Sequence, residues 1–465
     1  MALHVRHVPA LDPEFLPAVL WNRGYRELVA QDKGARPIAL ALLRADGTGS
    51  VHEDRVLSRE HPAAGSTLRY VERLLKFLLW QRGACSVLVA GAEGIAVALK
   101  EIYSPAGARH FDHHFMGRTV CGQEFSVSAC SWDQLPVPAE SNSSLGRHLD
   151  GCRIGFDLGG SDRKAAAIID GQVVFSEEIA WDPYFQKDPQ YHIGGVHDSI
   201  ARAAAHLPRI DAIGGSAAGV YVSNEVRVAS LFRGVPAEEF ARHIRRMFFD
   251  LQARFGGVPF AVANDGEVTA LAGSMSLDSG AVLGISMGTS VAGGYVTPAG
   301  TITPWLNELA FAPVDYRENA PLDEWSGDAG CGVQYFCQQG VNRLALRAGF
   351  VFPAALPLAE RLGEVQQAMQ SGDPRARAVY ETIGTCFGYS IAHYAEFYDH
   401  RHLLVLGRVS SGAGGDLILA TAAALLQDEF PALAGKISLH MPDEQKKRHG
   451  QAIAAASLPA LRPPT

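Results

Sequence analysis

The chain has 465 residues, of which 47% are hydrophobic and 19% charged, and its formal net charge is −8. That length exceeds what one hydrophobic core usually supports, and the balance is that of a folded globular protein rather than a disordered or fibrous one. The only basic runs, Arg242–Arg246 and Lys446–Arg448, are short and read as solvated helix faces, so the charge pattern argues against a nucleic-acid partner.

Residues 1–31 lack the basic start, apolar run and small-residue cleavage site of a signal peptide, and no apolar run of about eighteen residues occurs, so a cytoplasmic protein without membrane contact is expected. Seven cysteines at positions 85, 121, 130, 152, 331, 337 and 386 show no CxxC spacing and are expected to be reduced, mostly buried thiols. Apolar alternation predicts paired strands at 38–43 and 51–57, a helix at 67–82 and a strand at 85–90. This N-terminal α/β unit, residues 1–135, has the outline of a degenerate copy of the half-fold that follows, its turn Ala45-Asp46-Gly47-Thr48-Gly49 lacking the acidic-plus-glycine pattern of the later turns. The cluster Arg109-His110-Phe111-Asp112-His113-His114 is read as a strand, on which adjacent histidines point apart, favouring a surface or interface role over a metal site. The Pro-, Ser- and Asn-containing stretch 135–142 marks a domain boundary.

Beyond it, Arg153 opens a strand that leads through a glycine-rich turn into a second apolar run, with Asp170-Gly171 as a hairpin signal. A helix is predicted around 196–205, a strand at 210–215, a long amphipathic helix at 236–255 and a buried strand at 258–263. The order then repeats: strands at 281–285 and 293–296, helices at 341–346 and 375–397, a strand at 402–406 and a last helix at 449–458. Two such units in tandem predict two related lobes facing a cleft, residues 150–275 together with the C-terminal helix 449–465, and residues 276–448.

Four segments carry chemistry. In Asp157-Leu158-Gly159-Gly160-Ser161-Asp162-Arg163-Lys164 the glycines let backbone amides approach phosphate, Ser161 offers a hydroxyl, and Asp157 at the end of an apolar strand is suited to hydrated Mg²⁺. A second small-residue turn, Met287-Gly288-Thr289-Ser290, follows about 130 residues later and is able to close on the same phosphates. Ala263-Asn264-Asp265-Gly266-Glu267 sits between a strand and a helix, where Asp265 suits a base and Asn264 a hydroxyl ligand; both residue types also serve as helix N-caps, and the two roles are compatible. Last, the strand 403–406 runs into Gly407-Arg408-Val409-Ser410-Ser411-Gly412-Ala413-Gly414-Gly415, a small-residue loop with room for adenine or a plain strand-to-helix connection.

In this order the four segments resemble the ROK family of bacterial sugar kinases and related repressors, over about the last two-thirds of the chain. The resemblance implies an α/β, two-lobed actin-like ATPase (ribonuclease H-like) fold with an additional N-terminal α/β domain. It implies ATP and Mg²⁺ as cofactors, Asp265 as general base, and Asn264, Asp265 and Glu308 as sugar ligands. Asp157 would serve magnesium through water, while Gly159, Gly160, Ser161, Lys164, Gly288, Thr289, Ser290, Gly407 and Arg408 would face ATP. The chain departs from the family at Asn307-Glu308-Leu309-Ala310-Phe311, where Phe311 replaces a zinc-binding, sugar-contacting histidine, and at Gly330-Cys331-Gly332-Val333, which shortens a cysteine-rich zinc loop. No zinc is therefore expected, and a more apolar substrate pocket on that side is. The implied function is ATP-dependent phosphorylation of a sugar or polyol hydroxyl, with a homodimer as the family's usual state; the alternative is a non-catalytic sugar- or nucleotide-binding regulator. No basic recognition helix of the kind DNA-binding relatives carry is visible near the N-terminus.

Overall fold

The computed structural model describes residues 3–45, 47–139, 145–441 and 444–461, with side chains in 444–449 left aside. Asp46 of the first turn, residues 140–142 of the proposed boundary, the 446–448 side chains and the last four residues lie outside the described residues.

Helix α1 (Ala18–Gln31) precedes the hairpin of β1 (Arg36–Leu43) and β2 (Gly49–Val56). Helix α2 (Thr67–Arg82), strand β3 (Ser86–Ala90), helices α3 (Glu93–Ile102) and α4 (His110–His114), a π-helical turn at Phe115–Cys121 and strand β4 (Ser126–Cys130) complete a sheet of order β2-β1-β3-β4. Helix α2 is buried on nearly every face, Leu74, Leu75, Leu78, Leu79 and Trp80 in this unit's core and Phe77 in that of the second lobe. A helix covered on nearly every side must pair the charges it buries, and Glu72, Arg73 and Lys76 have partners at bonding distance.

Three expectations for this unit are corrected. Helix α2 carries the chain back over the sheet so that β1 runs antiparallel to both β2 and β3. In the two lobes the corresponding central strand has a parallel neighbour, so the unit does not repeat their half-fold. The segment around His110–His114 is helical rather than extended and turns Asp112 and His113 inward, Asp112 accepting from Lys76 Nζ at 3.1 Å. Cys85 and Cys121 are joined by a disulfide; Cys130, Cys152, Cys331, Cys337 and Cys386 are free.

The first lobe comprises β5 (Cys152–Leu158), β6 (Asp162–Ile169), β7 (Gln172–Ala180), α5 (Pro189–Ala204), β8 (Ala212–Ala217), β9 (Val220–Val222), β10 (Glu225–Val228), α6 (Ala237–Glu239), α7 (Met247–Arg254) and β11 (Phe260–Asn264), with sheet order β11-β8-β5-β6-β7. Asp170 and Gly171 turn the β6–β7 hairpin at φ of 45° and 82°, as a two-residue turn with both residues left-handed requires. The amphipathic stretch 236–255 is not one helix: a π-helical turn at Phe240–Ile244 separates α6 from α7, and the Arg245 carbonyl leaves the ladder to accept the Val226 N–H at 3.0 Å.

Helix α8 (Asp265–Ser276) crosses into the second lobe, built from β12 (Val282–Met287), β13 (Val291–Val296), α9 (Val333–Phe336), α10 (Gln338–Arg347), α11 (Leu358–Gln370), α12 (Pro374–Tyr394), β14 (His402–Leu406), α13 (Gly412–Glu429), α14 (Pro431–Ala434) and β15 (Ser438–His440). Its sheet order is β13-β12-β14-β15. Gly412, Gly414 and Gly415 belong to the first turn of α13, and a Cβ on Gly414 would stand 2.4 Å from the Tyr380 ring of α12, so Gly414 serves close helix packing. Helix α15 (Glu444–Ala456) returns to the first sheet, where a Cβ on Gly155 or Gly214 would come 1.7 Å from the carbonyl oxygens of Ala452 or Ala455. The core of the second lobe also takes in Phe15, Val19, Leu20 and Phe77, which fuses the N-terminal unit to that lobe.

The Cys85–Cys121 bond closes a 36-residue separation. Cys85→Ser/Cys121→Ser protein should lose about 2–4 kcal/mol of stability in non-reducing urea titrations. A disulfide-linked peptide pair should appear in a non-reducing digest of the unsubstituted chain; two free thiols there would contradict the pairing.

Candidate active site

Strands β5, β8 and β11 are parallel, so their carboxyl ends form one edge, where an open α/β sheet leaves a crevice. In register, Lys164, Asp157, Ser216 and Ala263 stand side by side across β6, β5, β8 and β11, and Asn264 and Asp265 follow. Buried Asp157 accepts from Ser216 Oγ at 2.6 Å, and Lys164 Nζ lies 3.5 Å from its second oxygen and 2.8 Å from Asp162 Oδ1. Burial pushes the Asp157 carboxyl up, opposed by Ser216 and Lys164.

Asn264 caps α8. Its Oδ1 accepts the Gly266 N–H at 2.8 Å and its Nδ2 donates to the Gly219 carbonyl at 2.7 Å, so the amide caps the helix and ties its start to the turn between β8 and β9. Asp265 is the first residue of the helix, and its Oδ1 also receives the Gly266 N–H, at 3.0 Å. Burial and then the Asp157 charge push the Asp265 carboxyl up to about 6, against the pull of helix-start amides. Glu308 stands close enough to feel Asp265, and burial with that charge pushes it up to about 7. Glu267, one further step into α8, accepts from Asn307 Nδ2 at 3.1 Å and is raised by burial to about 8.

Four carboxyl groups thus form one chain of charge coupling, Asp157 acting on Asp265, Asp265 on Glu308 and Glu308 on Glu267. The sequence reading gave roles to Asp157, Asp265 and Glu308, quoted Glu267 and Asn307 within motifs without a role, and missed Ser216 and Tyr398, whose hydroxyl donates to Asn307 Oδ1 at 2.8 Å. The spacing Asp265-x-Glu267 at a helix start was the one available signal for Glu267; the others meet only in three dimensions.

The predicted phosphate turns are tight. At the β5–β6 turn the Gly159 N–H bonds to the Asp162 carbonyl at 2.9 Å, the Gly159 carbonyl accepts Trp181 Nε1 at 2.8 Å, and Ser161 Oγ donates to Asp162 Oδ2 at 2.9 Å. Gly160 lies against Tyr184, whose hydroxyl would be 2.1 Å from an added Cβ. In the second lobe the Gly288 N–H bonds to the Ser290 carbonyl at 3.0 Å, with Thr289 and Ser290 exposed at the tip. Gly407, at φ 97°, brings its loop against that turn, a Cβ there falling 2.4 Å from the Met287 carbonyl. Arg408 is exposed beside Gly363 of α11, and its carbonyl accepts Gln366 Nε2 at 2.8 Å. The site residues therefore fall into two groups, one on each lobe, joined by α8.

Phe311 does not simply line a substrate pocket. Its ring packs on Trp80, Phe111 and Phe115 of the N-terminal unit at centroid distances of 4.3, 5.4 and 6.4 Å. Cys331 Sγ is buried 3.7 Å from Asp328 Oδ2, and Cys337 caps α10. Among the described residues no group of three or more His, Cys, Asp or Glu side chains is disposed to hold a metal ion. A cavity of about 370 Å³ lined by Arg36, Ser58, Arg59, Thr67 and Ile95 lies in the N-terminal unit, apart from these residues.

No protein-family model matches the sequence, and no curated protein does. Solved structures do match. A ROK hexokinase from Thermus thermophilus superposes with a TM-score of 0.51 at 18% identity, covering 65% of this chain and 97% of that one. A ROK family transcriptional regulator, a homologue of the E. coli MLC protein, gives 0.50 at 18% identity, covering 67% of this chain and 79% of that one. The fold is that of ROK proteins. It is a two-lobed actin-like ATPase fold carrying an additional N-terminal α/β domain, as expected from the motifs.

The raised carboxyls make a prediction that does not depend on function. A group whose folded pKa lies above its unfolded value binds more protons when folded, so stability falls as pH rises from about 4 toward 8. Asp265→Asn, which keeps the acceptor for the Gly266 N–H, should raise stability above pH 7 by about 1–3 kcal/mol and leave it unchanged below pH 4. Thermal melts across that range would show it, and a gain of equal size at pH 4 would contradict it.

Proposed function

We propose that the chain is an ATP-dependent carbohydrate kinase that phosphorylates a hydroxyl of a sugar or polyol, with Asp265 as general base. The observation that carries this reading is the placement of Asp265 at the head of α8, beside the Asp157–Ser216 row, with its pKa raised to about 6. A carboxylate so tuned is mostly ionised at pH 7 yet basic enough to take a proton in the transition state. The ROK fold, which the hexokinase from Thermus thermophilus shares, supports it.

On this reading the substrate hydroxyl gives its proton to Asp265 as its oxygen bonds to the γ-phosphorus and the bond to the β-phosphate oxygen breaks, releasing ADP. Positioning and charge stabilisation supply most of the acceleration. Glu308 and the remaining hydrogen-bonding capacity of Asn264 hold neighbouring hydroxyls. Asp157 would hold hydrated Mg²⁺, which supplies charge neutralisation on the phosphates; its hard oxygen donor in a row of crowded carboxylates fits such an ion. The turns at Gly159, Gly160 and Ser161 and at Gly288, Thr289 and Ser290 would flank the phosphates, with Lys164 as a cation and Gly407 and Arg408 beside the adenine. The working units would be 1–135, 150–275 with the C-terminal helix, and 276–448, paired as a homodimer in the cytoplasm. No helix among the described residues is long and apolar enough to cross a membrane, while the Cys85–Cys121 bond is the feature that a reducing compartment would oppose.

The second reading, a non-catalytic sugar- or nucleotide-binding regulator, draws on the regulator among the structural matches and on the Gly159 and Gly288 amides being used within their own turns.

The test is ADP production with Mg²⁺ against a panel of hexoses, amino sugars, N-acyl sugars and polyols. A substrate should raise turnover, Asp265→Asn should lower it about 10²–10⁴-fold with binding retained, and kcat/KM should fall as pH drops through about 6. Sugar or ATP binding without turnover in the unsubstituted chain would favour the regulator.

A further inference from the structure

The C-terminus of α2 ends on the loop that carries Glu308. The Glu308 N–H donates to the Trp80 carbonyl at 3.0 Å and the Asn307 N–H to the Gln81 carbonyl at 2.9 Å, so two of the carbonyls a helix end leaves unpaired are satisfied by the candidate site itself. Gln81 is fully buried and its Nε2 donates to the Phe397 carbonyl at 2.9 Å, next to Tyr398. Asn307 is buried at φ 51°, a left-handed backbone that asparagine tolerates well. It joins three elements: its main chain meets α2, its Nδ2 donates to Glu267 of α8 at 3.1 Å, and its Oδ1 accepts the Tyr398 hydroxyl at 2.8 Å.

Helix α2 is in turn fixed against the second lobe. Lys76 Nζ lies 3.0 Å from Asp328 and 3.1 Å from Asp112, and Arg73 Nη1 is 3.1 Å from Asp328, all within the interior. With Phe311 packed on Trp80, the two ends of the segment 307–311 are both held by this helix. Such a pre-set loop loses little freedom when Glu308 meets a ligand.

We propose that the N-terminal unit completes the substrate side of the cleft, with Asn307 as a positioning residue that, held by the Gln81 carbonyl, Glu267 and Tyr398, sets Glu308 to receive the substrate hydroxyls. The binding arm rests on the kinase reading; the loop-holding arm does not.

Asn307→Gly keeps the left-handed backbone and its main-chain bonds while removing both side-chain bonds, and Tyr398→Phe removes one. Titration calorimetry on full-length protein, with ATP and with the sugar that stimulates turnover, should show sugar affinity reduced about 5–50-fold and ATP affinity within twofold in Asn307→Gly, with a smaller sugar loss in Tyr398→Phe. Asn307→Asp, which shares a proton with Glu267 at pH 6, should keep sugar affinity there and lose it by pH 9, a dependence that simple loosening of the loop would not give. Hydrogen exchange in the free proteins should show the 307 and 308 amides at least tenfold faster in Asn307→Gly, with 286–290 unchanged. Folded Asn307→Gly protein that binds sugar as the unsubstituted chain does, or that loses ATP and sugar equally, overturns the proposal. If the unsubstituted chain binds no sugar, the kinase reading fails by itself, and unchanged exchange at 307 and 308 would overturn the clamp separately.

Discussion

Four carboxyl groups, Asp157, Asp265, Glu308 and Glu267, are coupled in series, and each ionised member makes the next costlier to ionise. Much of the surrounding architecture answers that crowding. The helix start at Asn264 turns amide hydrogens and the positive end of α8 toward Asp265. Ser216 and Lys164 steady Asp157 from neighbouring strands, and Asn307 donates to Glu267. These groups come from β5, β6, β8, α8 and the 307–311 loop, so the site exists only when both lobes are folded and joined.

The N-terminal unit belongs to the same constraint. Burying Arg73, Lys76 and Arg109 with Glu72, Asp112 and Asp328 is tolerable because nearly every charge has two partners in bonding distance. Removing one partner would leave an unpaired buried charge, a larger penalty than the pair's own net contribution. Such a network is a weak source of stability but a strict one of orientation, and it sets α2 against the second lobe at the angle that brings Trp80 and Gln81 onto Asn307 and Glu308. Phe311 suits that place: its ring finishes an aromatic contact with Trp80, Phe111 and Phe115 that a polar side chain would weaken.

Most of the strands, and the positions of Asp157, Asn264 and Asp265 at strand and helix ends, were legible in the sequence because they rest on local signals. Asp170-Gly171 dictates its hairpin turn, the apolar run before Asn264 ends where its N-cap begins, and Asp157 stands out at the end of a buried strand. The failures were places where tertiary contacts override local pattern. Gly414 and Gly415 suggest a loop until Tyr380 and Ser410 are brought against them. The stretch 236–255 has helical periodicity, yet Val226 captures the Arg245 carbonyl and breaks it. Cys85 and Cys121 carry no spacing signal, and the contacts of Asn307 with Glu267 and Tyr398 span 40 and 91 residues, beyond any pattern along the chain.

The charge balance also bears on how a triphosphate would share this cleft. Lys164 is already divided between Asp157 and Asp162, and the Gly159 and Gly288 amides are engaged within their turns. The amides and lysine that elsewhere attract phosphate are therefore partly spent, while nearby carboxylates repel it. On the kinase reading, nucleotide affinity would then lean on a divalent cation, which Asp157 would hold and which would offset the phosphate charge. That dependence should steepen as pH rises and Asp265 and Glu308 gain charge, because each added negative charge weakens binding of the bare anion more than that of its magnesium complex.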